Sequence, residues 1–403
     1  MRIDYRACWA AKMKPDKLKI AVVVHGRFYA FDLVRELILK GHDVTLFTNY
    51  PKFITAKYGI PKRNIKSFLF HGLLSRFLSL LNEGNRFPAI EIFTHTLFSR
   101  WAKKQLLRSS WDLVAVFSGV ASEIFEGIRE SGAQKVLIRG STHIATQSRL
   151  LEEEEKRAGS PVSRPSQWMV SRELKEYRQA DKILVLSTFA YDSFLQEGVE
   201  RSKLELNLLG SKADIFRPNK NIIDERVTRI LSGQPLRVLM VGAFIFRKGA
   251  IDLMEIASRA GKRFLFRVVG EVAGETKVLI EKYQGQVEFI SKQKEFDLPI
   301  SYSWADIFIF PTIEDGYPVV LAQAQASGLP LLVTQNCSGP DIVIEDKTGW
   351  TFPIRHPELF LERLQWCEEH RKEMADMVRY IYTSCSTRGW DKVALDFEKI
   401  YKK

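Results

Sequence analysis

Short, almost uninterrupted runs of β-branched and other apolar residues recur along this chain, and helical patterns separate them. The first run, KIAVVV, covers residues 19–24 and ends at His25-Gly26, and after a helical pattern a second run, DVTLFTN, follows. A strand, a helix and a strand within about 30 residues form a βαβ unit. Strands that are apolar along their whole length belong to parallel sheets covered on both faces. The chain is therefore predicted to be an α/β protein.

The alternation continues in two series, which the segment IFRPNKN divides, because its Pro and Asn residues are typical of a boundary. Later strands of the first series are WDLVAVFS, QKVLIRG and DKILVLS, and those of the second are LRVLMVGAF, FLFRVVG, QVEFIS, ADIFIFP and LPLLVT. A chain of 403 residues is long enough for two domains. We expect a basic arm at 1–18, Rossmann-like domains at 19–212 and 213–386, and at 387–403 a helix that can pack back on the first domain.

The composition of the chain indicates which kinds of partner it binds and in which compartment it is found. The net charge of +12 favours anionic partners such as nucleic acid, phosphate-bearing substrates or an anionic membrane surface. The four cysteines have no CxxC or metal-ligand spacing, which indicates reduced thiols in the cytoplasm. No apolar run reaches the length of about 18 residues that suggests a membrane span, and the N-terminus lacks the apolar centre of a signal peptide. We expect a cytoplasmic protein without a metal site or cofactor.

The segment PTIEDGYPVVLAQAQASGLP follows a strand, where ligands of open α/β sheets bind. Pro318 suits the start of a helix, so the N–H groups of 319–321 are expected to form an anion site at its N-terminus. Asp315 precedes this helix directly, with Glu314 beside it, and Gln323 lies inside the helix. The alternative is that Asp315 only caps the helix.

The segment VGAFIFRKG also follows a strand directly. Its Arg247 and Lys248 are two cations suited to neutralise a diphosphate leaving group, Arg247 as a fork and Lys248 as a point charge. The alternative is a solvated basic turn.

Two segments of the first series carry polar residues after a strand. VVVHGRF places His25, Gly26 and Arg27 there, and the glycine allows a ligand to approach the backbone. VLIRGSTHI places Arg139 and His143 in the equivalent position. The alternative for His143 is a packed or surface histidine without a function.

Taken together, these segments resemble the retaining nucleotide-sugar glycosyltransferases of the GT-B type, glycosyltransferase family 4. The resemblance rests on PTIEDGYPVVLAQAQASGLPLLVT, VGAFIFRKG, CSGPDIVIEDKTGWTFP and ADKILVLSTFAYDSFLQEGVERSKL, and it covers most of the chain from Lys19. It implies the GT-B fold, in which two Rossmann-like domains face each other across a cleft.

The resemblance also implies roles for individual residues. In the register of the family motif, Asp315 lies by the donor sugar and Gln323 holds the ribose, where the family has two glutamates. Pro318 replaces a glycine of the family, and Ala243 replaces its arginine. The residues expected to be catalytic are Asp315, Lys248 and His143. Those expected to bind the donor are Arg247, Gly242, Glu314, Gly316, Tyr317, Val319, Val320 and Gln323. Those expected on the acceptor side are His25, Gly26, Arg27 and Arg139.

The activity implied by the resemblance is transfer of a sugar, expected to be a hexose, with retention, from a nucleotide-sugar to a glycan or lipid-linked glycan. Cell-surface polysaccharide or lipopolysaccharide biosynthesis is the expected context. The leaving phosphate accepts the proton of the acceptor, so the protein contributes electrostatic stabilisation. No Asp-x-Asp pair occurs in the sequence, so a metal-bridged diphosphate is not expected.

Three other functions were considered. The Asp315 and Gln323 departure suggests a non-catalytic GT-B protein that binds a glycan or a partner. The charge suggests a nucleic-acid binder, but the sequence has no helix-turn-helix, aromatic platform or basic repeat, so no nucleic-acid partner is expected. A nicotinamide dehydrogenase is disfavoured, because no GxGxxG follows the first strand of either series.

Two charged stretches allow further expectations. Between residues 62 and 107, basic residues alternate with Phe and Leu, which predicts either docking on an anionic membrane or two helices with apolar inner faces and solvated basic faces. The docking interpretation gives a peripheral position on the cytoplasmic face. The run from Glu152 to Glu155 is expected to be a solvated helix face.

Overall fold

The computed structural model describes residues 17–81, 88–386 and 388–401. The basic arm expected at 1–18 lies almost wholly outside the described residues. The chain divides into two compact units, Met1–Glu83 with Ala89–Val136 and Gly84–Pro88 with Leu137–Lys403.

The strands follow the apolar runs of the sequence. They are β1 Lys19–Val24, β2 Asp43–Thr48, β3 Ile65–Ser67, β4 Leu113–Phe117, β5 Gln134–Ile138, β6 Lys182–Val185, β7 Leu204–Leu206, β8 Leu236–Val241, β9 Phe264–Val269, β10 Val287–Ile290, β11 Ile307–Phe310, β12 Leu331–Thr334 and β13 Gly349–Phe352. Sequence reasoning missed β3 and β7, which have only three residues each, and β13, whose four residues GWTF form no continuous apolar run.

Helices connect the strands, as the α/β prediction requires. They are α1 Ala30–Leu39, α2 Lys52–Ala56, α3 Leu69–Leu81, α4 Pro88–Leu106, α5 Ser122–Gly127, α6 Ile144–Ala158, α7 Gln167–Gln179, α8 Thr188–Gln196, α9 Ala213–Phe216, α10 Lys220–Leu231, α11 Ala250–Ala260, α12 Lys277–Lys282, α13 Leu298–Trp304, α14 Val319–Ala326, α15 Gly339–Ile342, α16 Pro357–Glu369, α17 Arg371–Ser384 and α18 Trp390–Tyr401. None of the described helices combines the length and the apolar character needed to cross a bilayer.

In the first unit the strand order is β3-β2-β1-β4, and neighbouring strands run parallel. Ile20 pairs with Val44 on one side and with Leu113 on the other. β1 is buried at every position after Lys19 and β4 at every position, which confirms that apolar strands are covered on both faces.

The second unit contains β5, β6 and β7 in that order and a six-stranded parallel sheet with the order β10-β9-β8-β11-β12-β13. A core of buried side chains lines this second sheet, among them Leu239, Phe308 and Leu332 from its central strands. The prediction of two parallel, Rossmann-like sheets is confirmed. The boundary predicted at 212 and 213 stays a prediction, since it falls between β7 and β8, whereas the compact units divide within β5.

Two further segments of the second unit have defined partners. The last helix, α18, lies against the end of β7, where the Asn207 amide donates to the Val393 carbonyl at 3.1 Å. The expected solvated face at 152–155 is wrong for Glu154, which is fully buried and accepts from Arg355 at 3.0 Å.

Close backbone contact joins the loops that follow β8 and β11. The Ile313 N–H donates to the Arg247 carbonyl at 2.9 Å. Gly249 has φ of +79°, and a Cβ atom there would lie 1.8 Å from the Pro311 carbonyl oxygen. Only glycine therefore allows the turn after β8 to approach the loop after β11 so closely.

Replacing Gly249 with alanine is expected to destabilise the protein by about 1–3 kcal/mol more than replacing Gly285, because only the first substitution forces atoms into contact. Gly285 is the matched control, since it has the same φ of +79° but no atom within 4 Å of a Cβ atom. Chemical denaturation of both variants measures the difference in the free energy of unfolding. Equal losses in the two variants would contradict the close approach.

Candidate functional site

The loops that carry the predicted donor-side residues lie at one edge of the second sheet. In the order β10-β9-β8-β11-β12-β13, the chain passes from β8 to β9 and β10 and then returns to the other side of β8 as β11. Ligands of open α/β sheets bind outside the carboxyl ends of the strands at such a reversal. The turn at 246–248 follows β8 and the loop at 311–318 follows β11, so both lie at this point.

Lys248 and Asp315, both predicted to be catalytic, are in direct contact. The Lys248 ammonium donates to the Asp315 carboxylate, and the two side chains are 12% and 14% exposed. The Asp315 N–H donates to the Asn336 carbonyl at 3.0 Å, which holds the backbone of the loop. Burial lowers the pKa of Lys248, while the Asp315 carboxylate acts in the opposite direction. The site thus has a cation and a carboxylate paired in a largely dry position.

Glu314, predicted to bind the donor, is fully buried and holds the segment that follows β5. Its carboxylate accepts from the Thr142 N–H at 3.1 Å, the Thr142 hydroxyl at 3.0 Å, the Gln147 amide at 2.9 Å and the Ser141 hydroxyl. Arg247 donates to the Glu314 carbonyl at 3.1 Å and lies 3.5 Å from the carboxylate. Protein donors already surround the carboxylate, and its expected contact with the donor stays a prediction.

The pKa of Glu314 reports the same surroundings. Burial alone would raise this pKa, but Arg247, Ser141 and the Thr142 N–H together hold it below its ordinary value. Glu314 is therefore an ionised, buried side chain that positions the loop and, through it, the neighbouring Asp315.

Arg139, predicted to lie on the acceptor side, is buried in the same network. Its guanidinium donates to the Thr142 carbonyl at 3.0 Å, to Glu173 at 3.2 Å and to the Gln147 amide oxygen at 2.7 Å. These bonds organise the segment after β5, and an acceptor-side role for Arg139 stays a prediction.

His143, predicted to be catalytic, caps α6 instead. Its Nδ1 accepts from the Ala145 N–H at 3.3 Å, and its ring packs 4.9 Å from the rings of Tyr177 and Phe194. Burial lowers the pKa of His143 to about 4. Among the described contacts it makes no hydrogen bond with Lys248 or Asp315. These contacts fit the alternative of a packed histidine, and a catalytic role for His143 stays a prediction.

Gln323 has a partner that the sequence did not indicate. Its side chain is 7% exposed, and its amide oxygen accepts from the Tyr302 hydroxyl at 2.9 Å. Arg226 in turn donates to the Tyr302 carbonyl at 2.9 Å and to the Ser327 carbonyl, near the end of α14, at 2.7 Å. One acceptor lone pair of Gln323 is therefore used, while its contact with a ribose stays a prediction.

The N-terminus of α14 differs from the expectation by one residue. Pro318 is the N-cap, and the helix begins at Val319. The Leu321 N–H donates to the Pro318 carbonyl at 3.0 Å, so this group is not available to an anion. The N–H groups of Val319 and Val320 remain in the first turn, where helical partners do not exist.

Gly316 and Tyr317, both predicted to bind the donor, are packed within the protein. A Cβ atom at Gly316 would lie 2.2 Å from the Gly140 carbonyl oxygen, so the loop after β11 touches the backbone after β5 at this glycine. Tyr317 is buried, and burial raises its pKa. Neither contact supports the predicted role.

A cavity of about 210 Å³ opens at the carboxyl ends of β8, β9 and β10. Polar or flexible residues that follow these strands line it: Gly242, Ala243, Gly270, Glu271, Lys292 and Gln293. Of these, Gly242 was predicted as a donor-binding residue. The rest could have been found with the same rule, because each follows directly after an apolar run.

The remaining acceptor-side residues belong to the first unit. His25, Gly26 and Arg27 follow β1, beside the reversal between β1 and β4 in that unit. The Gly26 N–H donates to Asn49 at 2.9 Å, and its carbonyl accepts from the Thr48 hydroxyl at 3.0 Å. The loop is thus held by two residues at the end of β2.

Comparison with known proteins finds a family match for the part of the chain that contains the second sheet and its loops. Residues 223–384 match the family of glycosyl transferases, group 1. The chain is 25% identical over 237 residues to a putative colanic acid biosynthesis glycosyltransferase, WcaL, of Escherichia coli, a match that covers 55% of this chain and 54% of that protein. The chain spans about half the length of the curated relatives it matches.

Solved structures match the fold over nearly the whole chain. Sucrose-phosphate synthase of Thermosynechococcus elongatus has a TM-score of 0.70 at 17% identity, covering 95% of this chain and 98% of that one. HepE of Anabaena, solved in complex with UDP, has a TM-score of 0.67 at 11% identity, covering 96% and 100%. These findings confirm the GT-B fold and the resemblance to group 1 glycosyltransferases.

Replacing Glu314 with glutamine is expected to destabilise the protein by about 3 kcal/mol at neutral pH, because Arg247 would lose its buried counter-charge. The pKa of Glu314 in the folded protein is below its ordinary value. The carboxylate therefore stabilises the fold fully at pH values above the ordinary pKa, and this stabilisation is lost as the pH falls through the folded pKa. Denaturation at several pH values should therefore show a difference that shrinks in acid. Glu281→Gln, an exposed glutamate, is the control; a loss no larger than in this control would contradict the role of Glu314.

Proposed function

We propose that this chain, in which residues 223–384 form a group 1 glycosyl transferase domain, transfers a sugar from a nucleotide-sugar to a glycan or lipid-linked glycan. The proposal includes retention of configuration, a hexose as the transferred sugar and no requirement for a metal ion. Its context is the biosynthesis of a cell-surface polysaccharide or lipopolysaccharide, in line with the colanic acid relative. The observation that carries it is the largely buried Lys248–Asp315 pair at the strand reversal, which joins the turn after β8 to the loop that leads into α14.

The leaving diphosphate is the group that the site stabilises. As the bond to the sugar breaks, negative charge grows on the diphosphate, and positive charge held in a dry site lowers the barrier. Lys248 supplies a cation, and the N–H groups of Val319 and Val320 supply the positive end of a helix. A diphosphate oxygen would compete with Asp315 for Lys248, and Asp315 would then accept a hydrogen bond from a sugar hydroxyl.

The transfer takes place on one face of the sugar. The bond between the anomeric carbon and the diphosphate oxygen breaks, and the acceptor oxygen bonds to the same carbon from the same face. The acceptor proton moves to the diphosphate oxygen that leaves, so the products are a nucleoside diphosphate and a glycoside. No strong protein base is needed, which agrees with the structural role of His143.

The cavity after β8, β9 and β10 is proposed to hold part of the nucleotide. Its lining includes Gly242, which follows β8. Gln323 lies on α14, which follows β11, the strand next to β8 in the sheet. Gln323 can donate its amide hydrogens to a ribose hydroxyl while its oxygen accepts from Tyr302. UDP is the first nucleotide to test, because HepE was solved with UDP and with UDP-glucose.

The non-catalytic alternative rests only on Asp315 and Gln323, which stand where the family has two glutamates. It accounts neither for the buried Lys248–Asp315 pair nor for the match to a glycosyltransferase family, so it is not proposed. A nucleotide panel followed by thermal unfolding identifies the donor, since binding raises the melting temperature by mass action.

Lys248→Ala is expected to remove about 2–4 kcal/mol of transition-state stabilisation, the range of one electrostatic donor, and so to lower kcat/KM for transfer. Asp315→Asn should reduce transfer while nucleoside diphosphate binds at least as tightly as to the wild type, because the diphosphate no longer competes with a carboxylate for Lys248. Kinetics with the cognate donor and calorimetry with its nucleotide measure both effects.

Lys262→Ala is the control for these variants, because Lys262 is exposed and lies between α11 and β9. Unchanged kcat/KM in Lys248→Ala would contradict the assignment of the cation. Weaker nucleotide binding in Asp315→Asn would show that Asp315 contacts the nucleotide instead of the sugar.

A peripheral position on the cytoplasmic face of an anionic membrane is also proposed, as the place where a lipid-linked acceptor is found. The helix α3 turns an apolar stripe to the surface, in which Phe70, Leu73 and Phe77 are 69%, 62% and 60% exposed. His71, on its other side, is buried. This exposed stripe supports the docking interpretation over the alternative of an apolar inner face and a solvated basic outer face for α3.

Basic residues in and before α3 complement an anionic bilayer. Lys62 and Arg63, just before β3, Lys66 within it and Arg76 on α3 are exposed. Apolar side chains that enter the headgroup region, with cations around them, are typical of interfacial helices. Residues 82–87 of the predicted membrane-docking region lie outside the described residues.

Reversing three of these charges is expected to weaken binding to anionic vesicles at least 100-fold at low salt, because each basic residue near such a surface contributes about 1 kcal/mol. The test variant is Lys62→Glu, Arg63→Glu and Lys66→Glu, and the matched control is Lys17→Glu, Arg108→Glu and Arg129→Glu, which reverses three exposed charges of the same unit outside the docking region. Vesicle co-sedimentation measures both. Equal losses in the two triple variants, or no binding by the wild type, would exclude this surface.

A further inference from the structure

The loop that follows β1 has unsatisfied polar groups that the donor site does not explain. In the first unit the order β3-β2-β1-β4 places a strand reversal between β1 and β4. Residues 25–28 follow β1 at this point, where open α/β sheets bind ligands. Three of these four residues show a feature that costs free energy in the folded protein.

His25 has a buried ring nitrogen without a partner. Its Nε2 is buried and makes no hydrogen bond, while its ring packs 5.2 Å from that of His71 and 4.9 Å from that of His95. His71 and His95 bond to the carbonyls of Thr94 and Gly119 at 2.9 Å and 3.0 Å. An unsatisfied buried nitrogen is costly unless a ligand meets it.

The charge state of His25 limits what that ligand group can be. Burial, and then the nearby His95 and His71, lower the pKa of His25 to about 3. The imidazole is therefore neutral throughout the physiological range and suits a hydroxyl group. Among the described residues, no set of three or more His, Cys, Asp or Glu side chains is arranged to hold a metal ion.

Arg27 is a partly buried cation without an anionic partner. Its Nε is buried and makes no hydrogen bond, and its guanidinium lies 4.4 Å from the centre of the Tyr58 ring. In the part of the chain that the structure describes, no carboxylate pairs with it. Arg35, on the helix that follows, pairs with Asp32 at 2.7 Å and with Glu36 at 2.9 Å. Since buried cations are normally paired, Arg27 fits an anion brought by a ligand.

Phe28 is held in a strained conformation at the surface. Its φ is +40°, which is rare for a bulky residue, and its side chain is 65% exposed. The ring stacks on that of Phe117, the last residue of β4, with centroids 5.7 Å apart. Backbone strain of this kind is concentrated at catalytic and ligand-binding sites. An exposed aromatic face can also stack on the C–H face of a sugar ring.

We propose that His25, Arg27 and Phe28 form the acceptor subsite and that the acceptor bound there is anionic, its carboxylate or phosphate group paired with Arg27. His25 meets a sugar hydroxyl, and Phe28 stacks on the ring. The inference rests on the proposed glycosyl transfer and specifies the class of acceptor. The oxyanion can come from a uronic acid or from a sugar phosphate, and Arg27 would bind either through its charged donors.

The test compares three probes on the full chain in the presence of UDP: methyl β-D-glucuronide, glucose 1-phosphate and methyl β-D-glucoside. We expect the wild type to bind at least one anionic probe about tenfold or more tightly than the neutral one, as a charged hydrogen bond predicts. The anionic probe that binds more tightly distinguishes the two sources. Arg27→Ala should remove this preference without changing the affinity for the neutral probe, Arg27→Lys should keep part of it, and the exposed Arg129→Ala should resemble the wild type.

A second variant separates the subsite from the fold. Phe28→Gly should relieve the positive φ and leave the melting temperature unchanged or higher, while all the probes that bind the wild type bind less tightly. A wild type without preference for an anionic probe, or Arg27→Ala with its preference intact, overturns the proposal. UDP affinity, measured on the same samples, judges the proposed function separately: if UDP binds and the probes show no preference, only this inference fails.

Discussion

The buried carboxylate of Glu314 is the interaction on which the donor-side site depends. Removing a charge from water is costly, and here hydroxyl, backbone and amide donors from Ser141, Thr142 and Gln147 offset that cost, with Arg247 on the other side. Because this set joins the loop after β11 to the segment after β5, it limits the positions that the neighbouring Asp315 can take.

Two adjacent acids thus have opposite tasks. The buried carboxylate of Glu314 accepts hydrogen bonds from several protein donors and stabilises the loop. The carboxylate of Asp315 pairs with Lys248 and is partly exposed to solvent. A lysine shared with one carboxylate can be taken over by a stronger anion, whereas a carboxylate with four donors cannot readily be displaced. This difference in the number of partners separates the residue that holds the site from the one suited to chemistry.

The first unit shows the reverse condition. After β1, His25 and Arg27 keep buried nitrogen atoms without partners, while the backbone of Gly26 between them is fully held by Thr48 and Asn49. A rigid backbone that carries unsatisfied side chains is a preorganised binding loop, because a ligand gains hydrogen bonds there without ordering the chain. In the second unit a ligand would bind by replacing one partner of the Lys248–Asp315 pair. In the first unit it would bind to nitrogen atoms of His25 and Arg27 that make no hydrogen bond within the protein.

The amino-acid sequence by itself determined the succession of strands and helices, since apolar runs such as KIAVVV and LRVLMV report burial on both faces locally. It also indicated which loops carry polar residues, because every strand of a parallel sheet presents its carboxyl end at the same edge. Only the tertiary structure decided which of these residues meet. Thr142 and Glu314 lie 172 positions apart, and Tyr302 and Gln323 are 21 apart, so no local pattern could distinguish Glu314 from Asp315 or supply the partner of Gln323. The burial of Arg139, His143 and Glu154 could not be predicted for the same reason: burial and pairing depend on distant segments, whereas the type and spacing of residues are local properties.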